Sequence, residues 1–236
     1  MRRDVFKRML SLGVAYLMAN SFAVAQTANA VNGYEYVDLG LSVKWATCDV
    51  GATSPWECGH YFAWGETEGE KNLADFEKTH IQVSVSGDNT HWHWGDVIEM
   101  IGTCATFSVE MDDISGDQEF DAAKANWGDS WRMPTFDEWN ELFTNCKLEY
   151  VDKGDIKGFT AVSKKNGNSI FFSFGIAYGE DIALSARYWT STPIFESPYD
   201  DAISVIIYTD DISENWGWRI SKESRFWGMH IRPVTD

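Results

Sequence analysis

Asn126-Trp127-Gly128-Asp129-Ser130-Trp131-Arg132-Met133-Pro134-Thr135-Phe136-Asp137-Glu138-Trp139 is the stretch that decides how this chain reads. It is a tight aromatic and glycine turn feeding a well-capped helix. Thr135 stands three residues before Glu138, the capping-box spacing. The Thr135 hydroxyl is positioned to accept from the N–H of residue 138, and the Glu138 carboxylate to reach back to the N–H of Thr135. Trp139, Leu142 and Phe143 follow at i, i+3 and i+4, one apolar stripe on a short helix. The spacing predicts a helix over 136–146.

Upstream of this core signal the first residues read as a leader. Arg2, Arg3, Lys7 and Arg8 form a basic n-region, 9–22 is mostly apolar, and Ala23-Val24-Ala25 supplies a small-x-small cleavage site before Gln26. Ala28-Asn29-Ala30 is a second such site. The apolar run is short for a membrane span, and no cysteine follows either cleavage site to carry a lipid. Residues 1–25 are therefore expected to be a signal peptide, 26–33 a short linker and 34–236 one domain. The mature protein is expected in the periplasm, on the cell surface or outside the cell.

The full chain has 236 residues and a formal charge of −17. Removing 1–25 takes away four basic residues and one acidic residue and brings the charge to about −20. A nucleic-acid partner is excluded on electrostatic grounds, because phosphate binding needs a basic surface. An anionic membrane surface is disfavoured for the same reason. Aromatic residues are 15% of the chain, with 12 Trp, which fits a packed globular domain and argues against disorder.

Four cysteines remain: Cys48, Cys58, Cys104 and Cys146. In an oxidising compartment an even count points to disulfides. Three pairings are open, and Cys48–Cys146 with Cys58–Cys104 is the working expectation. The absence of any Cys-x-x-Cys pair argues against a zinc site.

Strands are expected to be short and separated by Gly, Asn and Asp. Residues 43–47 and 61–64 come first. Residues 158–162 and 169–172 flank Lys165-Asn166-Gly167-Asn168, where Asn-Gly marks a hairpin. Later candidates are 188–191, 202–208, 215–220 and 227–234. A short helix is expected over 121–126 and, on a weaker pattern, a long first helix around 73–80. Residues 84–118 read as a long irregular excursion. Few helices with many short antiparallel strands give an α+β or mostly β domain.

Several motifs, in order, carry a family resemblance. Tyr36-Val37-Asp38-Leu39-Gly40-Leu41-Ser42-Val43-Lys44-Trp45-Ala46-Thr47-Cys48-Asp49-Val50-Gly51-Ala52 opens the series. Tyr61-Phe62-Ala63-Trp64-Gly65-Glu66-Thr67, Asp113-Ile114-Ser115-Gly116, the 122–135 stretch, Gly167-Asn168-Ser169-Ile170-Phe171, Tyr188-Trp189-Thr190-Ser191 and Ile231-Arg232-Pro233-Val234 follow. Together they resemble the Fibrobacter succinogenes major paralogous domain family of exported bacterial proteins, from about residue 34 onward. That family in turn resembles the C-type-lectin-like fold and its formylglycine-generating-enzyme branch, where an Arg-Leu-Pro-Thr-x-x-Glu-Trp helix start and a terminal Arg-Pro-Val are typical. The resemblance implies a C-type-lectin-like α+β fold of twisted, short antiparallel strands with few helices. It also implies paired terminal strands, and long loops that carry any site.

No catalytic residue can be named. The formylglycine-generating branch holds copper on two late cysteines, and this chain has no Cys after Cys146. No nucleophile elbow or phosphate-binding glycine loop is present. His91-Trp92-His93-Trp94 would place both imidazoles on one side of a strand, but no third metal ligand accompanies them. The acidic pairs Asp112-Asp113, Asp200-Asp201 and Asp210-Asp211 do not by themselves set the carboxylate separation that a glycosidase needs. Glu196, Asp200 and Asp201 are candidate calcium ligands, although the Glu-Pro-Asn and Trp-Asn-Asp signatures of calcium-dependent sugar-binding lectins are missing.

Aromatic residues supply the remaining candidates. Trp216 and Trp218 stand two apart on an expected strand and so share a face, with Trp227 nearby. Tyr199, Asp200 and Asp201 complete the candidate ligand-binding set. Trp45, Trp64, Trp127, Trp131 and Trp139 belong to the fold signature and are expected in the core. The resulting reading is an exported, non-catalytic binding module for a glycan or an extracellular protein, contacting it through the loops at 84–118 and 194–201. The alternatives are a polysaccharide-acting or metal-dependent enzyme and a structural surface protein.

Overall fold

The structure is a computed structural model that describes residues 29–86, 97–175, 185–196, 200–210 and 215–236. The expected signal peptide and the His91–Trp94 run lie outside the described residues.

Twelve strands and three helices make up the described chain, an α+β architecture of antiparallel sheets. Strands β1 (Asn29–Val31), β2 (Tyr34–Val37) and β3 (Lys44–Ala46) form one four-stranded sheet with the last strand, β12 (Val234–Thr235), in the order β1-β2-β3-β12. The two ends of the domain thus share a sheet, with Val234 opposite Trp45. The segment 26–33, read as a linker, contributes β1 to this sheet.

Helix α1 (Leu73–His80) leads into the hairpin of β4 (Ile81–Ser86) and β5 (Val97–Gly102). This corrects the reading of 84–118 as irregular throughout. Ile81-Gln82-Val83-Ser84-Val85-Ser86 alternates apolar and polar residues, which is strand periodicity. Helix α2 (Ala122–Trp127) ends at Gly128, whose φ of +93° is a conformation that glycine adopts without a Cβ penalty.

Helix α3 (Phe136–Asn145) carries the predicted capping box, with both reciprocal hydrogen bonds formed. It runs directly into β6 (Cys146–Lys153), which pairs with β7 (Ile156–Ser163), which pairs with β8 (Ser169–Ser173). The β7–β8 turn is the Asn-Gly hairpin, with Gly167 at φ +77°. Strand β6 escaped the sequence reading because the apolar stripe of α3 ends where the alternation of Cys146-Lys147-Leu148-Glu149-Tyr150 begins.

Strands β9 (Ser185–Pro193), β10 (Asp201–Asp210) and β11 (Asn215–Ser224) complete the fold in the order β11-β10-β9. Residues 61–64 and 227–233 form isolated bridges rather than full strands: Phe62 pairs Met229, and Tyr188 pairs His230.

One core cluster gathers Trp45, Trp139, Phe159, Phe172, Tyr188 and Ile207. A second gathers Trp64, Trp127, Trp131, Trp189 and Ile231. Trp45, Trp64, Trp131 and Trp139 are fully enclosed and Trp127 nearly so, as expected for signature tryptophans. Each buried aromatic of this size removes enough apolar area to dominate its local packing.

Candidate functional site

The most chemically eventful residues of the signature turn out to be scaffold. Arg132 grips Glu138 through both arms of its guanidinium, Nη2–Oε1 at 2.6 Å and Nη1–Oε2 at 2.9 Å. The same Oε2 accepts the Thr135 N–H at 2.8 Å. The fork therefore holds the capping carboxylate in place, and the Arg132 backbone bridges to Val234 of β12.

Asp121 is fully buried and caps α2. Its carboxylate accepts from the N–H groups of Gly116, Ala123, Lys124 and Met133. Burial nevertheless pushes its pKa up from the ordinary carboxylate range, against the pull of those four donors. Asp49 and Arg232 are also without exposure, joined by Nε–Oδ1 at 2.6 Å. Tyr188 donates to Asp49 Oδ2 at 3.2 Å. Arg232 Nη1 donates to the carbonyls of Ala46 and Thr47, while the guanidinium carbon lies 4.8 Å from the Phe172 ring centre. Asp121 and Asp49 find their partners inside the fold, as do Arg232 Nε and Nη1, while Arg232 Nη2 is buried without a hydrogen-bond partner among the described residues.

The four cysteines are unbridged. The expected pairs Cys48–Cys146 and Cys58–Cys104 are not formed, because the thiols sit in different surroundings. Cys146 is in the Trp139 cluster and Cys48 against the Trp131 cluster. Cys58 donates to the Phe174 carbonyl at 3.1 Å, and Cys104 packs beside Tyr61, Ala63 and Phe76. Burial lifts the pKa of all four thiols, Cys58 and Cys146 to about 11. They remain protonated at neutral pH and are weak ligands and nucleophiles in that form.

The aromatic candidates divide. Trp218 is half-buried and stacks on Phe143 of α3, centroids 4.3 Å apart and planes 10° apart. One face of this candidate residue is thus used in packing against α3. Trp216 lies opposite Thr209 in the β10–β11 register, and its side chain lies outside the described residues, as does Tyr199.

The acidic candidates do not converge. Glu196 pairs with Lys222 at 3.3 Å. Asp201 accepts from Ser224 Oγ at 3.1 Å, and Asp200 from Ser108 Oγ at 3.4 Å. Among the described residues no group of three or more His, Cys, Asp or Glu gathers as metal ligands, so the calcium set Glu196, Asp200 and Asp201 is not assembled.

What the structure does bring together is the two expected contact loops, through a residue that sequence reasoning missed. Arg225 is fully buried and lies 4.4 Å from the Trp64 ring centre. Its Nη1 donates to the carbonyls of Thr106 and Val109 at 3.0 and 2.7 Å. Its Nε donates to the Asp201 carbonyl at 3.4 Å, and its backbone N–H to the Asp200 carbonyl at 2.9 Å. The Asp201 carbonyl also accepts from Ile194. One guanidinium therefore ties Thr106 and Val109 to Asp201, whose carbonyl is shared with Ile194. Burial lowers the Arg225 pKa from its ordinary value, and the carboxylates of Asp200 and Asp201 work the other way.

Around this junction the surface is apolar and acidic. Val109 is 45% exposed and Phe195 73%. Phe107 and Phe226 are half-buried beside them, edge to face at 5.8 Å. Ser108 sits at φ +63°, unusual for a residue with a Cβ. Strained positions of this kind concentrate at ligand-contacting sites. Elsewhere an open cleft of about 370 Å³ is lined by Val31, Asp129, Trp131, Arg132 and Asp236, but its one cation, Arg132, is already committed to Glu138.

No described helix is long and apolar enough to cross a membrane. No family model matches the chain, and neither a curated protein nor a solved structure matches it.

Proposed function

We propose that this chain is an exported, non-catalytic recognition module, built on a C-type-lectin-like scaffold of the Fibrobacter succinogenes major paralogous kind. It binds a glycan or an extracellular protein at the cell envelope or outside the cell. The leader-like first 25 residues support export. The shared sheet of terminal strands, the Arg132–Trp139 helix start and the long loops support the scaffold.

One observation carries the functional reading. Asp49, Asp121, Arg132, Glu138 and Arg232 are spent on holding the fold. The exposed apolar side chains Val109 and Phe195 instead flank one buried arginine that fixes two loops together. Exposed apolar groups on pinned loops suit recognition, because the surface is ordered before the ligand arrives.

Binding of immobilised glycans and extracellular proteins by the chain, with calcium and with EDTA, tests this. The expected result is selective binding that survives EDTA and is lost in Phe195→Ser. Turnover of a glycan, abolished by Asp200→Asn or Asp201→Asn, would replace this reading with an enzyme. Self-association without any ligand would replace it with a structural role.

A further inference from the structure

We infer that the Arg225 junction takes a cationic polypeptide segment with an apolar anchor. This rests on the reading of the junction as a recognition surface and adds the chemistry of its ligand.

The anchors are Val109 and Phe195. The backbone carbonyl of Val109 and that of Asp201 are both held by the Arg225 guanidinium, and Asp201 is held in turn by Ile194, the neighbour of Phe195. The two exposed side chains are therefore attached at backbone points only a few hydrogen bonds apart. The exposed indole of Trp56, by contrast, leans on Phe171 at 4.9 Å, and Tyr150 leans on Phe159 at 5.6 Å. Those rings rest on a sheet, whereas Val109 and Phe195 project from loops.

Charge selects the partner. Four carboxylates belong to the junction: Glu110 follows Val109 and Glu196 follows Phe195 in the chain, Asp200 accepts from Ser108 and Asp201 from Ser224. Lys222, paired with Glu196, is the exposed cation seen at its edge, and Arg225 is buried. This excess of carboxylates over Lys222 attracts cations and repels acidic glycans and anionic lipid surfaces. A neutral sugar would leave that excess unanswered. A Lys- or Arg-bearing chain answers it, and one apolar side chain between Val109 and Phe195 supplies the desolvated contact that gives binding energy.

The test measures binding of three short synthetic peptides to the full chain by fluorescence anisotropy. One alternates Lys and Leu, one Lys and Ser, one Glu and Leu. A chitosan oligosaccharide serves as a cationic glycan. The Lys–Leu peptide is expected to bind at least about tenfold more tightly than Lys–Ser, and Glu–Leu not to bind. Val109→Ser with Phe195→Ser should remove that preference, while Trp56→Ser leaves it intact and circular dichroism of every variant matches the parent. Equal binding of Lys–Leu and Lys–Ser, insensitive to Phe195→Ser, would mean diffuse charge attraction alone and would overturn the inference. Binding of chitosan or of a neutral glycan that depends on Phe195 would overturn the peptide assignment while leaving the recognition surface standing. Loss of every ligand, peptide and glycan alike, would sink both.

Discussion

Two regions of this molecule use arginine in opposite ways. At Arg232 the cation is matched to a carboxylate, Asp49, with both groups sealed from solvent. At Arg225 the cation is equally buried, and its contacts include backbone carbonyls of Thr106 and Val109 in one loop and of Asp201 at the start of β10. The first arrangement locks the core around β3 and β12. The second sets the relative position of two loops and leaves their outward side chains, Val109 and Phe195, free of the core. Rigidity is thus invested where the sequence signature lies, and the proposed recognition surface falls at a junction that the signature does not include.

The comparison breaks most severely at the ion pair. Asp49→Ala leaves Arg232 buried and unmatched, and should cost about 3–5 kcal/mol in a denaturant titration. Joint replacement, Asp49→Leu with Arg232→Met, should recover most of that loss, because the paired charges also carry a desolvation penalty. A loss below about 1 kcal/mol for Asp49→Ala would mean that the pair contributes little to the framework.

A smaller effect is expected at the start of α3. Thr135→Ala removes the acceptor for the Glu138 N–H and leaves Glu138 held by Arg132, so a cost of about 1 kcal/mol is expected. Thermal unfolding of this variant beside Arg132→Met would show whether the fork and the cap act as one unit. Strictly additive losses would say that they do not.

Glu66 and His80 give the region between framework and junction a pH signature. His80 Nε2 lies 3.0 Å from Glu66 Oε2, and Glu66 Oε1 accepts the Ala105 N–H at 2.7 Å. Burial pulls the His80 pKa down, but Glu66, the Phe76 carbonyl and Glu70 together raise it above its ordinary 6.5. Its stabilising share is therefore full below 6.5 and fades as pH rises through the raised value. Burial likewise lifts Glu66, yet His80 and the Ala105 N–H bring it below its ordinary 4.5, so its share is lost as pH falls through that lowered value. His230, desolvated and held below 6.5, opposes acidification. Comparison of the parent with His80→Gln isolates the pair: the parent should lose stability relative to the variant as pH rises from 6.5 through the raised value. Parallel melting curves would contradict this.

The smallest stability effect belongs to the junction. Phe195→Ser should change unfolding free energy by no more than about 0.5 kcal/mol, because the ring is largely in solvent. A larger loss would mean that Phe195 is a packing residue and would erase the contrast with the framework.

Much of the framework was legible in the sequence. The capping box, the 122–127 helix and the Asn-Gly hairpin follow local rules of spacing and turn chemistry, and the structure has them. Strand β6 was hidden by a change of period at Cys146, and the β4–β5 hairpin by its place inside a segment of loop-like composition. The junction was legible only as two loops. Nothing near Arg225 in the chain marks it, since its partners at 106, 109 and 201 are carbonyls, and any residue type supplies a carbonyl. Trp218 shows a related limit: alternation fixes which residues share a face but not what stacks against that face. Phe143, some 75 residues earlier in the chain, covers it.

The most direct test is binding of the glycan and protein panel by Val109→Ser with Phe195→Ser, beside the parent chain. The account predicts that the double variant loses selective binding while keeping the parent's melting temperature. Undiminished binding would place recognition elsewhere on the molecule and contradict it.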